Sequence, residues 1–469
     1  MRLAPLCARC GAVRSTRLRV RCLAYLLRAL AIATIPALPL TAQPTGDRPN
    51  VVLLITDDLG YADIGSYGAR DIRTPNLDRL AREGVRFTDF YANATTCTPT
   101  RAGLISGRYQ QRYLVEQPLP AGTGVPGEMT ERGLDASPFS LPRLLKTRDY
   151  ATALMGKWHL GYAPSQSPLA HGFDTFFGLK SGYHDYWQHT DSRGEPDLWE
   201  NDTRVRVSGY STDLIARRAV EFIAAHAREP FFLDVAFNAP HWPFQDPDTA
   251  SVAVGHARFL KPADSVTATR AQYVRMVERL DQRIGDILAA LERHGLARHT
   301  LVIFTNDNGG EWLSDNTPLF NRKWTTWEGG IRVPALVRWP GRIPAGRVTS
   351  QVGITMDLTA SILAAAGVVV PAEARLEGMD LLPVLTGQAP PAERTLFWRS
   401  TMRGGTQRAA RRGDLKIVSD ATHTFLFDVR RDPGERRDLA RRQPHDVRAL
   451  SLLLAAWEQS VDAEAPRRR

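Results

Sequence analysis

Asn50-Val51-Val52-Leu53-Leu54-Ile55-Thr56-Asp57-Asp58 is the stretch that decides the fold. Val51 to Ile55 are all aliphatic, with no polar alternation, which describes a strand covered on both faces, as in a parallel sheet. The run then stops at two adjacent carboxylates. Three later stretches have the same form. Tyr150 to Met155 ends in Gly156-Lys157-Trp158-His159. Phe231 to Phe237 ends in Asn238-Ala239-Pro240-His241, and Leu301 to Thr305 ends in Asn306-Asp307-Asn308-Gly309-Gly310.

Helical patterns lie between these strands. Thr74-Pro75-Asn76 opens one, with Thr74 as N-cap and Pro75 at the first helical position, and Gly84 closes it. Others run over roughly Thr212 to His226 and from Tyr273 to about Arg293. Strands alternating with helices predict an α/β fold whose large, mostly parallel sheet is sandwiched by helices. In such sheets ligands bind beyond the C-terminal strand ends. Asp57, Asp58, Lys157, His159, His241, Asp307 and Asn308, far apart in sequence, are therefore expected to share one cleft. From about Ala392 the pattern changes to short strands, ending in a helix over about His445 to Val461. This predicts a small C-terminal antiparallel sheet with a covering helix, and the division 1–42 leader, 43–390 catalytic domain, 391–469 C-terminal α+β subdomain.

The first 42 residues carry seven arginines and no acid. An apolar run from Cys22 to Leu40 follows the basic stretch and ends in small residues at Thr41-Ala42, the layout of a secretory signal peptide. Arg28 leaves that run short for a membrane anchor, and no other stretch reaches roughly 18 apolar residues, so the mature chain is expected to have no membrane span and to be periplasmic or secreted. Without the leader, 53 Lys and Arg stand against 50 Asp and Glu. The high pI is thus mostly the leader's and does not point to nucleic acid. Arg408–Arg412 and Arg430–Arg442 read as solvated faces.

Three of the four cysteines, Cys7, Cys10 and Cys22, also fall in the leader. Cys97 alone remains, so it has no partner for an internal disulfide; it is a buried bystander or a chemical group. It precedes a helix expected over Thr100 to Ile105, and a helix N-terminus lowers a thiol's pKa. Asp57, Asp58, Asp307 and Asn308 offer only oxygen ligands, which fits a hard cation such as Ca²⁺ or Mg²⁺. Arg101, Lys157, His159, His241 and Lys323 supply positive charge and protons for a tetrahedral oxyanion ester. Gly182-Tyr183-His184-Asp185-Tyr186-Trp187 mixes polar and aromatic residues. It reads either as a sugar-facing loop with His184 as substrate contact or as a surface turn with a buried aromatic anchor.

Cys97-Thr98-Pro99-Thr100-Arg101, with Gly107-Arg108 downstream, resembles the signature of the type I sulfatases of the alkaline phosphatase superfamily. The resemblance extends over nearly the whole mature chain, through Asp57-Asp58-Leu59-Gly60-Tyr61, Thr74-Pro75-Asn76-Leu77-Asp78, Gly156-Lys157-Trp158-His159, Pro240-His241-Trp242-Pro243, Asp307-Asn308-Gly309, Lys323 to Gly330 and Asp432-Pro433-Gly434-Glu435. It implies that a maturase oxidises Cys97 to Cα-formylglycine, whose hydrate attacks sulfur. It implies one Ca²⁺ held by Asp57, Asp58, Asp307 and Asn308 and touched by the modified Cys97. It implies sulfate contacts from Arg101, Lys157 and Lys323, protonation of the leaving alcohol by His241, and help from His159 in sulfate release. The implied substrates are sulfated carbohydrates or aryl sulfates. Thr100 departs from the commoner serine, and Asn321, Arg322 and Trp324 stand where glycines often surround the second lysine. Two alternatives stay open: a phosphonate monoester or phosphodiester hydrolase of the same superfamily, and a catalytically retired secreted carbohydrate-binding protein.

Overall fold

The computed structural model describes residues 48–122, 133–248, 268–402, 405–420 and 422–466. The leader, part of the Pro118–Gly127 loop and the last three arginines fall outside the described residues.

The aliphatic run before Asp57-Asp58 forms β1 (Asn50–Thr56), at the centre of a ten-stranded sheet. The other principal strands are β2 (Ala151–Lys157), β3 (Thr175–Leu179), β4 (Phe231–Ala236), β5 (Thr300–Asn306) and β6 (Ala335–Arg338). Five adjacent strands run parallel in the order β5-β1-β4-β2-β3. Val51 pairs with both Phe232 and Leu301, and Ile55 with both Ala236 and Thr305. β6 adds antiparallel to β5 and leads to the short edge strands Val85–Phe87 and Arg347–Thr349; Trp199–Glu200 and Thr203–Arg204 form the other edge.

Period-two geometry divides β1 between two cores. Val52 and Leu54 pack with α1 (Pro75–Glu83), α3 (Ser211–Ala225) and α4 (Arg270–Arg293), through Leu77, Leu214, Ile215, Tyr273 and Leu280. Val51, Leu53 and Ile55 pack with α2 (Cys97–Ser106) and α5 (Thr355–Ala365), through Leu104, Ile105, Leu358 and Ile362. Thr74 and Gly84 bound α1 as the sequence predicts, but the Thr74 hydroxyl accepts from Gly65 instead of capping the first turn. Asp281 of α4 takes that task, accepting from the Asn76 and Leu77 amides at 3.1 and 2.8 Å.

The C-terminal sheet has the order β7 (Thr395–Met402), β8 (Gly405–Arg412), β9 (Leu415–Ser419), β10 (Thr424–Asp428), all antiparallel, with α6 (Pro444–Glu464) across it. Its core runs into the large domain. Trp398 lies against Tyr91 and donates to the Ala92 carbonyl at 2.8 Å. Lys416, fully buried, bridges Glu328 and Glu435 at 2.8 and 2.9 Å. The small sheet is thereby fastened to the segment that carries Lys323 and Trp324.

Candidate active site

The adjacent C-terminal ends of β5, β1, β4 and β2 deliver Asp307, Asp57, His241 and Lys157 to one place. Cys97 enters from another direction. It is the first residue of α2, three positions earlier than the sequence reading put the helix start, because Pro99 falls in the first turn, where a missing N–H breaks no bond. All ten residues of this helix are buried, so its positive end meets Cys97 in a medium that screens it little.

Ion pairs join the residues the sequence proposed. Lys157 Nζ donates to Asp57 at 2.6 Å. Lys323 Nζ lies 2.7 and 2.8 Å from the two oxygens of Asp58. Arg101 grips Asp307 Oδ2 through two nitrogens at 3.0 and 2.8 Å and donates to the Lys157 carbonyl. Asn308 Nδ2 donates to Asp58 Oδ1 at 2.7 Å, His241 Nε2 stands 3.4 Å from Asp58 Oδ2, and Cys97 Sγ is 3.4 Å from Asp57 Oδ1. Every one of these side chains is buried.

The electrostatics follow from that burial. Burial raises the Asp58 pKa, but Lys323, His241 and Lys157 outweigh it and hold the group at about 2. Asp307 goes the other way, to about 6, pushed up by burial and by the charge of Asp57. Burial, with Asp57, raises the Cys97 thiol, overriding the lowering expected from the helix N-terminus. An unmodified Cys97 is thus a poor thiolate. Burial and the two lysines bring His241 down to about 3 against the pull of Asp58, and burial with Lys157 takes His159 well below its usual value.

The oxygen donors fit a cation. Donor atoms of Asp57, Asp58, Cys97 and His241 all lie within 4.8 Å of one another. Asp307 Oδ1 and Asn308 Oδ1 are buried with no hydrogen-bond partner, a costly state that a hard cation relieves. The geometric cluster takes in His241 as well, which the sequence reading held only as a proton carrier.

His184 does not join them. It is buried, with Nε2 2.7 Å from Ser211 Oγ and Nδ1 3.3 Å from the Asp197 carbonyl, so it anchors the turn and is not placed to touch substrate. Its neighbour Tyr183 lines a cavity of about 340 Å³ together with Cys97, His159, His241, Lys323 and Trp324. Sequence reasoning missed Tyr183, Trp242 and Glu311. Glu311 lies 3.7 Å from Lys323 and accepts from Trp324 Nε1 at 2.6 Å.

Residues 49–368 match the family model for sulfatases, and residues 316–453 match the model described as N-sulphoglucosamine sulphohydrolase, C-terminal. The chain is a type I sulfatase. It belongs to the alkaline phosphatase superfamily and is a sulfuric ester hydrolase. This sulfatase is 34% identical to mouse (Mus musculus) N-acetylgalactosamine-6-sulfatase, over 87% of this chain and 85% of that one. It is 31% identical to bovine (Bos taurus) arylsulfatase A, over 88% and 89%. The crystal structure of Ps i-CgsB in complex with k-i-k-neocarrahexaose superposes on the sulfatase with a TM-score of 0.78 at 30% identity, covering 87% of this chain and 92% of that one.

Proposed function

We propose that this sulfatase hydrolyses sulfate monoesters of a saccharide or an aryl alcohol, with Cys97 converted to formylglycine by a maturase and one Ca²⁺ held by Asp57, Asp58, Asp307 and Asn308. The observation that carries this reading is the pair of partnerless buried oxygens, Asp307 Oδ1 and Asn308 Oδ1, in the same nest of carboxylates as Cys97. The leader over 1–42 would direct the chain to the periplasm or the exterior, and 43–390 and 391–469 would be its catalytic domain and C-terminal subdomain.

Formylglycine would supply the attacking oxygen, and the cation a positive charge for the sulfate oxygens. The remaining tasks belong to this chain's own side chains. Lys157, Lys323 and Arg101 place three cationic groups around the cleft, where fixed charges in a dry medium stabilise the oxyanion as it develops. His241 Nδ1 lies 2.5 Å from the Trp242 carbonyl, which only accepts, so Nδ1 carries a hydrogen and Nε2 is the atom free to exchange a proton. An incoming anion opposes the lysines that depress the His241 pKa, so substrate binding favours the protonated ring that hands its Nε2 proton to the leaving alcohol. His159 Nε2 donates to the Leu119 carbonyl at 2.9 Å, which leaves Nδ1 with its lone pair and no partner, ready to accept a proton.

Replacing His241 with glutamine is expected to lower kcat for a sulfated sugar by about 10²–10⁴-fold. The loss is expected to be much smaller for nitrophenyl sulfate, whose leaving group needs no proton. Equal losses on both substrates would remove His241 from the acid role. The reaction itself is tested by offering one preparation an aryl sulfate and an aryl phosphonate. Faster sulfate turnover supports the reading; faster phosphonate turnover favours the phosphonate hydrolase alternative, and no turnover of any ester the binding-protein alternative.

A further inference from the structure

Among the described residues the ammonium of Lys323 has two acidic neighbours. Asp58 is the nearer, at 2.7 and 2.8 Å to its two oxygens, and Glu311 Oε2 lies at 3.7 Å. All three side chains are buried. None of the proposed steps uses Glu311. Lys323 and Trp324 line the cavity beside Cys97, and Glu311 reaches that cavity only through them.

The Glu311 carboxylate is held in place for Lys323. Its Oε1 accepts the Trp324 indole N–H at 2.6 Å, which leaves Oε2 for the ammonium. The Glu311 carbonyl accepts from the Ser314 amide and hydroxyl at 3.1 and 2.7 Å, and the Lys323 amide donates to the Gly310 carbonyl at 3.2 Å. Carboxylate and ammonium thus sit on two segments that hydrogen-bond to each other. Their 3.7 Å separation is longer than a charge-assisted hydrogen bond of about 2.8 Å, and a small movement of the lysine closes it.

Asp58, by contrast, is crowded with donors. Its Oδ1 accepts from Asn308 as well as Lys323, and its Oδ2 faces His241 as well as Lys323. A divalent cation held by Asp58 claims the same lone pairs and repels an ammonium beside them. A buried ammonium left with no anion is costly. Charge balance leads the same way. Asp57, Asp58, Asp307 and Glu311 stand against Lys157, Lys323 and Arg101. With the histidines neutral, a divalent cation leaves one positive charge in excess, which a sulfate monoester neutralises; without Glu311 the excess would be two.

We propose that Glu311 is a positioning residue that takes over the ammonium of Lys323 when a cation occupies Asp58, and so keeps that charge on the cavity wall for the sulfate group. This role rests on the proposed cation site and adds a residue to it.

Calorimetry of Ca²⁺ binding to the full sulfatase tests it, with Glu311→Gln, Glu311→Asp, Lys323→Met and the Glu311→Gln/Lys323→Met double variant. Glutamine keeps an acceptor for the Trp324 indole and removes the charge. Glu311→Gln is expected to weaken Ca²⁺ binding about 10-fold where Lys323 is present and less than about 2-fold where methionine replaces it, because no ammonium then competes for Asp58. Glu311→Asp keeps the charge and is expected to stay within about 3-fold of wild type. The sulfate group is negative before and during reaction, so at saturating Ca²⁺ the Glu311→Gln loss is expected to fall on KM for an aryl sulfate, about 10-fold, more than on kcat. Thermal unfolding verifies the fold of each variant. Equal weakening with and without Lys323 would make Glu311 only a distant charge and overturn the proposal. Unchanged Ca²⁺ binding or unchanged KM in folded Glu311→Gln overturns it too, as does a loss in Glu311→Asp equal to that in Glu311→Gln. Wild-type protein that binds no Ca²⁺ would overturn the cation site itself, and this role with it.

Discussion

Cys97→Ala is expected to lower kcat/KM for every sulfate ester by about 10⁴-fold or more, the scale of losing a nucleophile. No other group in the cleft can take over. The nearest side chains are carboxylates held by cations: Asp57 by Lys157 and Asp58 by Lys323. The thiol itself is an unsuitable nucleophile here, since burial and Asp57 hold its proton on. The fold should survive the change. The side chain is small, its one polar contact among the described residues is a 3.4 Å approach to Asp57, and α2 is fixed by its apolar face, so the stability loss should stay within about 2 kcal/mol. The measurement is a full kinetic profile alongside thermal unfolding. Substantial turnover by well-folded Cys97→Ala would assign the chemistry to another group.

Chelation carries the second large effect. Stripping divalent cations is expected to abolish turnover, and Ca²⁺ to restore it. Three buried carboxylates, Asp57, Asp58 and Asp307, sit together with only partial compensation: Arg101 binds one oxygen of Asp307 and leaves the other bare. A cation that binds only the folded state at 100 times its dissociation constant adds about 2.7 kcal/mol of stability. Without the cation, the raised pKa of Asp307, about 6 against 3.8 unfolded, means the folded protein binds the extra proton. That contribution to stability is therefore greatest at low pH and is lost as pH rises through about 6. Calcium should oppose the loss, so its stabilising effect is expected to be larger at pH 7 than at pH 5. Thermal unfolding with and without Ca²⁺ at both values checks this. Chelator-resistant activity, or an unfolding temperature indifferent to Ca²⁺, would remove the cation from the account.

Much of this architecture is legible in the chain because long buried strands write themselves as unbroken apolar runs. Val51 to Ile55, Phe231 to Phe237 and Leu301 to Thr305 need no alignment to be read, and the rule that ligands sit beyond parallel strand ends gathers Asp57, Lys157, His241 and Asp307 correctly. Short strands stay silent, since the three residues of Val85–Phe87 hold no measurable period. The loops after β3 and β5 stay silent for a different reason. A loop has no fixed side-chain period, so which of Tyr183 and His184 faces the cavity depends on backbone geometry that composition does not encode. The structure buries His184 and puts Tyr183 on the cavity wall. Trp324 was visible only as bulk beside Lys323; its positive φ and its bond to Glu311 come from the three-dimensional arrangement.

On the proposed mechanism Cys97 works only after oxidation, beside a cation held by carboxylates at the sheet's rim. Mass spectrometry of the peptide containing Cys97 tests it most directly, when preparations made with and without a maturase are compared and assayed in parallel. Conversion should lighten the peptide by about 18 Da, and specific activity should rise in proportion to the converted fraction. Full turnover by protein whose Cys97 retains its thiol would contradict the account.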